Sequence, residues 1–580
     1  MKKGWIIVLA IVLVVVGLAA VLFFSLRSLV DQQPSLGDKT VLVLELTGEL
    51  PESAPADPFM QLFEPKAMSF RDLVTCIEKA RVDKRIVALW LKIDSPALGW
   101  AKVEELQLAL DAFRKSGKTI VASMEMGNER DYACALPADR IFLPGESYFE
   151  FDGFVAQAQF MKDMFNKFGI EPEVENIGKY KSAGDMLKLS AMSEAQREVM
   201  NVMLDQRLAQ FQTMVEKYRQ IPRDQVFALL DKSVYGPQEA LGHKLIDGIK
   251  YADEIEDFLK TKTGETAKKR LTTIAGNKYR KVTPPDYEFA DGEQIAVIYA
   301  VGTIMRGPDS YSPIFGRNMG SESVIESIRK ARQNKAVKGI ILRVDSPGGD
   351  GLASDLMWRE LRQADKEKPV VASMSDVAAS GGYYIAMGCR KIVADPATIT
   401  GSIGVVSAKF NLKGIYDWLG LHNETIQRGR WADMMNDSRP MTPEERELFR
   451  QRTRKFYDRF VAKAAECRGK SYEQLEPYAQ GRVWSGTDAL QHGLVDMLGG
   501  LDKAIEVVRQ EAKIKPSQRI RLIEYPEPKK LIDQVMESLA ETQVRQVHPR
   551  LREDLQFLGR FVLPGPNAML AVMPYRIDIH

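Results

Sequence analysis

VKGIILRVDSPGGDGL, residues 337–352, repeats the pattern of RIVALWLKIDSPALGW, residues 85–100. Each stretch is an apolar run that ends in Asp-Ser-Pro, and the two tripeptides lie 251 residues apart. Further matches follow in the same order at nearly the same offset: Lys118–Met124 with Lys368–Met374, Tyr132 with Tyr383, and Ala240–Gly248 with Ala489–Met497. Ordered matches at one offset indicate an internal duplication.

Each copy alternates short apolar runs with helical patterns. The runs VLVLEL at 41–46 and IAVIYA at 295–300 predict the opening strands of the two copies. The segments Ser69–Ala80 and Ser321–Ala331 have apolar residues at 3–4 spacing, behind a serine able to cap a helix. Strands separated by helices imply right-handed crossovers and a mainly parallel sheet. The predicted fold class is α/β, a tandem duplication of a βαβ unit.

Composition excludes several classes of function. Lys and Arg number 80 against 78 Asp and Glu, so the formal charge of +2 gives no reason to expect nucleic acid as a partner. The four cysteines are too few and too scattered for a disulfide framework or a zinc cluster. Only five histidines are present, so a histidine-rich metal site is not expected. No metal ion or other cofactor is expected.

The N-terminus predicts a membrane anchor. Trp5–Leu26 is a run of 22 residues without a charge. At ~1.5 Å per residue it would span roughly 33 Å, enough for the ~30 Å hydrocarbon core. Lys2 and Lys3 precede the run, which favours a cytoplasmic location for residues 1–4. A cleaved secretory signal is the alternative, but the run exceeds the usual apolar length of roughly 7–15 residues.

The remaining chain divides by composition and by the repeat. The expected order is a linker at 27–39, a first copy at 40–260, a second linker at 261–290, a second copy at 291–510, and an extension at 511–580. Because the second linker is polar and basic, we expect it to be solvated; a phosphate-binding patch is the alternative. The extension has no evident counterpart in the first copy, and no role is assigned to it.

The second copy carries a candidate nucleophile. Its strand PVVASM leads to a strand-to-helix turn of small residues, Ala378–Gly382, with Ser380 at the helix N-terminus. The first copy has Glu129 at the equivalent position. A helix cap is the ordinary role of such a serine, but a cap does not need two following glycines.

A second loop differs between the copies in the same way. The second copy has DSPGG where the first has DSPAL, and Gly348 and Gly349 can turn N–H groups outward as an oxyanion hole. A tight turn is the alternative.

A candidate base lies in the first copy. Aligning Gly178 with Gly429 places Lys181 opposite Ala432, so the first copy has the lysine without the serine, and the second has the serine without the lysine. A lysine acts as a general base when burial lowers its pKa.

The anchor, the duplicated body and the motifs YKSA, DSPGG, AASGGYY and TGSIGV (Thr400–Val405) together resemble the long, duplicated signal peptide peptidase A family. The resemblance implies a Clp/crotonase-like fold and a serine endopeptidase with Ser380 as nucleophile and Lys181 as general base. It also implies that Ser402 orients the lysine and that Gly349 and Gly381 supply oxyanion N–H groups.

The same resemblance implies a location and partners. It implies a single-pass protein of the bacterial inner (cytoplasmic) membrane, with the N-terminus inside and the catalytic body periplasmic. Expected partners are peptide substrates, namely remnant signal peptides and unfolded chains, and further copies of the chain in a homotetramer.

Other functions stay open from sequence alone. These are a crotonase-type acyl-CoA enzyme, an inactive scaffold, and a related membrane-bound protease that cleaves a dedicated membrane protein. The sequence also leaves open whether Ser380 and Lys181 meet within one chain or between two.

Overall fold

A computed structural model describes residues 34, 36–53, 68–264, 270–312, 316–526 and 570–572. In the first half the strands are β1 Thr40–Glu49, β2 Ile86–Ala97, β3 Thr119–Met124, β4 Met126–Gly127, β5 Arg140–Leu143, β6 Tyr148–Phe151, β7 Glu171–Ile177, β8 Ser233–Tyr235, β9 Gly248–Ile249 and β10 Thr273–Ala275. The helices there are Phe70–Val82, Trp100–Arg114, Glu129–Ala135, Lys162–Lys167, Ser182–Gly184 (3₁₀), Asp185–Lys188, Glu194–Arg219, Arg223–Leu230, Pro237–Gly242, Ala252–Thr263 and Gly276–Tyr279.

The second half follows a similar order. Its strands are β11 Glu293–Val301, β12 Thr303–Met305, β13 Ser310–Ser312, β14 Gly316–Gly320, β15 Val337–Ser346, β16 Gly348–Asp350, β17 Val370–Ala379, β18 Lys391–Ala394, β19 Ile399–Gly401, β20 Val405–Asn411, β21 Val483–Ser485, β22 Met497–Leu498, β23 Ile520–Tyr525 and β24 Leu570–Val572. Its helices are Ser321–Gln333, Gly351–Glu367, Gly381–Ala386, Lys413–Leu419, Pro443–Cys467, Tyr472–Leu475, Glu476–Tyr478 (3₁₀), Gly486–Gln491 and Leu501–Glu511.

Each half is built on a parallel sheet with the same strand order. In the first half the order is β10-β1-β2-β3-β5-β9, and in the second it is β23-β11-β15-β17-β18-β22. The central strands are apolar and buried, as expected where helices cover both faces of a sheet. The α/β class and the duplication predicted from sequence are confirmed.

A pair of tyrosines matches in structure as well as in sequence. The hydroxyl of Tyr132 donates to the carbonyl of Leu245 at 2.7 Å, and that of Tyr383 donates to Leu494 at 2.9 Å. Both tyrosines are fully buried. Equivalent tyrosines therefore make the same buried hydrogen bond in the two halves of the chain.

The capping prediction holds for one helix and fails for the other. Ser69 caps the helix Phe70–Val82 by accepting from the N–H of Asp72 at 3.0 Å. In the second half the capping position is Gly320, and Ser321 is the first helical residue, so its predicted role as a cap is wrong. The N–H of Gly320 donates to Asp309 Oδ1 at 2.8 Å, and the helix therefore begins one residue earlier than predicted.

Two predicted connections prove to contain strands. The stretch expected to be a solvated linker provides β10, which pairs with β1, and it buries Leu271 and Tyr279. The extension at 511–580 was predicted to lack a counterpart, but β23 pairs with β11 as β10 pairs with β1. Both corrections have one cause, because a short edge strand in a parallel sheet leaves only a weak apolar pattern in the sequence.

A third sheet joins the two halves. Its order is β13-β14-β12-β16-β24-β20-β7. Strand β7 of the first half therefore forms one edge of a sheet whose other strands belong to the second half. Strand β7 runs antiparallel to β20, with Ile177 opposite Val405. Lys409 and Glu173 form a buried ion pair of 3.2 Å between these two strands. The pairing brings the end of β7 beside the start of β20.

Within the described part of the chain, no helix is both long enough and apolar enough to cross a membrane. The anchor predicted at Trp5–Leu26 lies outside the described residues.

Candidate active site

Ser380 lies between β17 and the helix Gly381–Ala386 in an unusual backbone conformation. Its φ is 56° and its ψ is −111°, which a residue with a side chain adopts at a cost of about 1–3 kcal/mol. The N–H of Ser380 donates to the carbonyl of Gly401 at 2.8 Å, and its carbonyl accepts from Tyr384 at 2.8 Å. The Ser380 side chain makes no capping bond, so the role of an ordinary helix cap does not describe it.

Lys181 reaches Ser380 from the other half of the same chain. Lys181 follows the end of β7 by four residues, and Ser402 precedes β20 by three. The antiparallel pairing of β7 and β20 therefore brings both residues to one place. Lys181 Nζ lies 2.8 Å from Ser380 Oγ, 2.9 Å from Ser402 Oγ and 3.1 Å from the carbonyl oxygen of Ser402.

These three side chains are isolated from water. Lys181 is 1% exposed, and Ser380 and Ser402 are fully buried. Burial lowers the pKa of Lys181 well below its ordinary value. Burial is the cause of this lower pKa, and no carboxylate offsets it within the part of the chain that the structure describes. A neutral amine has two N–H bonds and one lone pair. Donation to both oxygens of Ser402 leaves the lone pair for the hydroxyl of Ser380.

Glycines of the second half make room for the lysine. At Gly481, whose φ is +75°, a Cβ would lie 2.4 Å from the Cβ of Lys181. At Gly404 a Cβ would lie 3.0 Å from Lys181 Cδ. The N–H of Tyr180 also donates to the carbonyl of Gln480 at 2.8 Å. Sequence reasoning missed Gly481, because nothing in its neighbourhood marks a contact with a residue of the other half.

The loop after Asp345 is organised by Ser346. Its hydroxyl donates to the carbonyl of Gly302 at 2.7 Å and accepts from the N–H of Gly348 at 3.2 Å. Residues Gly348–Asp350 then form β16 and not the tight turn considered from sequence. At Gly349 a Cβ would lie 2.1 Å from the carbonyl oxygen of Ile304, so only glycine fits this pairing.

The two glycine-containing segments lie against each other. Gly381 is the first residue of the helix that follows Ser380. A Cβ on its neighbour Gly382 would lie 2.5 Å from the carbonyl oxygen of Ser346. The structure thus brings the start of this helix next to the loop that leads into Gly349.

A buried cluster of charged side chains connects the segments of Gly349 and Ser380 to the first half of the chain. Lys102 Nζ lies 2.8 Å from Asp345 and 3.1 Å from Asp376. Asp345 precedes Gly349 by four residues, and Asp376 precedes Ser380 by four. Burial opposes the charge on Lys102, yet the carboxylates of Asp345, Asp376 and Glu52 hold its pKa well above the ordinary value. The cluster was not predicted, since no motif links Lys102 with positions so far along the chain.

Arg343 extends this cluster within the interior. It lies 2.9 Å from Glu52 and 2.7 Å from Glu105, and it is 1% exposed. Both carboxylates belong to the first half. Strands β15 and β17, which lead to the segments with Gly349 and Ser380, are thus bound at their ends by charged side chains of the first half.

A buried serine in contact with a buried lysine, whose pKa is lowered by burial, is the arrangement of a serine hydrolase that uses an amine as its base. Comparison with known proteins shows which family of hydrolases the chain belongs to. The model of peptidase family S49 matches residues 112–265 and again 362–515. The chain belongs to this family and is a serine peptidase.

Relatives over most of the chain agree. The chloroplastic serine protease SPPA of Arabidopsis thaliana is 39% identical over 86% of this chain and 73% of its own length. Protease 4 of Salmonella typhi is 32% identical over 86% of this chain and 79% of its own. The family assignment confirms the resemblance seen in the sequence, and it rules out the acyl-CoA enzyme and the inactive scaffold.

Proposed function

We propose that this chain is a Ser-Lys dyad endopeptidase in which each half supplies one member of the dyad. The observation that carries the proposal is the 2.8 Å contact between Ser380 Oγ and the buried Nζ of Lys181. In this account Ser380 is the nucleophile and Lys181 the general base. Ser402 orients the amine through its hydroxyl and carbonyl.

The reaction follows from these groups. Lys181 takes the proton of Ser380 as Oγ attacks the carbonyl carbon of a peptide bond. The N–H groups of Gly349 and Gly381 receive the resulting oxyanion. Lys181 then gives its proton to the departing amine as the C–N bond breaks. Water attacks the acyl-enzyme with Lys181 again as base, which releases the acid and restores Ser380.

The proposed substrates are remnant signal peptides and other unfolded peptides. An Enterococcus faecium relative that carries the name signal peptide peptidase SppA is 34% identical over 205 residues, which cover 35% of this chain. A cleft that binds extended chains would suit such peptides. The competing candidate is a protease with one dedicated membrane-protein substrate.

We further propose that Trp5–Leu26 anchors the chain in a bacterial inner membrane, with the body outside the cytoplasm, and that four copies assemble. The uncharged run and the flanking Lys2 and Lys3 support the anchor. An exposed apolar surface near the helix Lys413–Leu419, including Trp418 at 83% exposure, supports contact with further copies.

The test compares membranes from cells with the wild-type chain and cells with only Ser380→Ala. Peptides bound to these membranes are identified by mass spectrometry. The proposal predicts that many different signal peptides accumulate with Ser380→Ala. Accumulation of a single membrane protein, with signal peptides unchanged, would favour the dedicated protease.

A further inference from the structure

A short segment of the second half connects the lysine of the first half to the serine proposed to orient it. The carbonyl of Gln480 accepts from the N–H of Tyr180 at 2.8 Å, and Tyr180 directly precedes Lys181. Two residues further on, the carbonyl of Arg482 accepts from the N–H of Ser402 at 2.7 Å. The main chain of this segment is therefore bonded to both sides of the amine site.

The side chain of Arg482 makes a second connection to the first half. Its guanidinium carbon lies over two aromatic rings, 4.7 Å from the centroid of Tyr180 and 4.6 Å from that of Trp484. Its guanidinium also donates to Glu198 at 2.5 Å, and the hydroxyl of Tyr180 donates to the same carboxylate at 3.3 Å. We call these four side chains the arginine clamp. Two of them belong to each half of the chain.

The clamp owes its effect to position more than to charge. The side chain of Arg482 is 13% exposed, but that of its partner Glu198 is 46% exposed. An ion pair with an exposed member contributes little to stability. A planar guanidinium can stack on aromatic rings and at the same time donate to a carboxylate, which a lysine cannot do. The contacts therefore fix where the ring of Tyr180 lies.

We propose that Arg482 is a positioning residue, which keeps Lys181 in contact with Ser402 and Ser380 and closes the amine site to water. This inference rests on the proposed function. Lys181 follows Tyr180 in the chain, so a shift of Tyr180 away from the clamp moves the amine as well. Arg482 acts on Tyr180 through its side chain, and its carbonyl binds Ser402 on the other side.

The ionisation of Lys181 reports on this closure. Burial lowers the pKa of Lys181, so entry of water raises it toward the ordinary value. The charged groups at the clamp are Arg482, Glu198 and Lys179, and Lys179 is 60% exposed, so water screens it. The other side chains that contact the amine are the hydroxyls of Ser380 and Ser402.

Arg482→Met tests the proposal in the full-length chain. We expect the ionisation that limits labelling of Ser380 by a fluorophosphonate to rise by about one pH unit, because water reaches the amine. We expect kcat for a fluorogenic peptide to fall about tenfold with a nearly constant KM, because the base is misplaced. Arg114→Met is the matched control, since Arg114 lies 5.8 Å from the ring of Tyr218 and 3.3 Å from Asp111. It should keep the wild-type ionisation and kcat.

Arg482→Lys separates position from charge. The lysine keeps a positive charge near Glu198 but cannot stack a planar group on the rings. We expect the ionisation to move in the same direction as in Arg482→Met. A shift in Arg482→Met with none in Arg482→Lys would attribute the effect to the lost charge and would overturn the proposal.

Tyr180→Leu breaks the same contact from the first half and leaves the ion pair of Arg482 with Glu198. We expect an upward shift here too, which keeps the proposal testable if Arg482→Met does not fold. A lower unfolding midpoint with a wild-type ionisation in these variants would show a merely structural role and would overturn the inference. Failure of the fluorophosphonate to label Ser380 in the wild-type chain would instead contradict the proposed function.

Discussion

Lys181 Nζ and Ser380 Oγ lie 2.8 Å apart although 199 residues separate them in the sequence. The contact exists because β7 of the first half pairs with β20 of the second. The two members of the proposed dyad thus come from different copies of the duplicated fold. Neither half alone could form the dyad.

Replacing Lys181 with methionine should abolish peptide hydrolysis and leave the fold intact. Loss of a general base lowers kcat by about 10²–10⁴-fold. The unfolding midpoint should be at least that of the wild type, because the variant no longer buries an amine. Peptide hydrolysis and thermal unfolding are measured together. Lys179→Met is the matched control, since Lys179 is exposed two residues away, and it should keep full activity. Substantial hydrolysis by purified Lys181→Met would refute the assigned role.

Removing the hydroxyl of Ser402 should impair the reaction less than removing the lysine. Ser402→Ala loses the acceptor at 2.9 Å from Lys181, but the carbonyl at 3.1 Å remains to hold the amine. We expect kcat to fall about tenfold to a hundredfold with a nearly constant KM. The control is Ser407→Ala, which removes another buried serine hydroxyl, bonded to Thr453 and not to Lys181. Equal kcat values for the two variants would show that Ser402 does not orient the base.

Adding a methyl group at Gly349 should distort the proposed oxyanion hole. In Gly349→Ala the new Cβ would lie 2.1 Å from the carbonyl oxygen of Ile304, so β16 has to shift. The loss of an oxyanion donor lowers kcat by roughly 10²–10³-fold. At Gly236 a Cβ meets no atom within 4 Å, so Gly236→Ala should have wild-type kcat. A Gly349→Ala enzyme with normal kcat would exclude this N–H from the mechanism.

Lys102 should matter for stability and for the geometry of both catalytic segments. Lys102→Met leaves Asp345 and Asp376 without their buried cation, at a cost of about 3–5 kcal/mol in the free energy of unfolding. We also expect kcat to fall, because the two carboxylates lie next to the segments that contain Gly349 and Ser380. Lys118→Met is the control, since Lys118 donates to the carbonyls of Ala80 and Asp83, which belong to the first half. If Lys102→Met kept both properties, the cluster would have no positioning role.

Sequence predicted the parts of this site that carry a local signal. The small residues around Ser380 mark a turn, and the divergence of the two copies pointed to Lys181. The spatial arrangement could not be predicted, because it depends on the register of β7 against β20. Gly481 and Lys102 were missed for the same reason, since each acts on a residue of the other half. Strand β24 was missed because its pairing is with backbone, which leaves no residue pattern.

The central claim is that neutral Lys181 activates Ser380, and the most direct test is the pH dependence of Ser380 modification by a fluorophosphonate. Burial lowers the pKa of Lys181, and only the deprotonated amine can accept the proton. The rate, with the site mapped by mass spectrometry, should therefore rise with pH through one ionisation well below 10.5 and then level off. In Lys181→Met the rate should fall about 100-fold or more and lose this ionisation. Labelling of Ser380 in Lys181→Met at the wild-type rate with the same pH profile, or labelling of a different serine, would contradict the account.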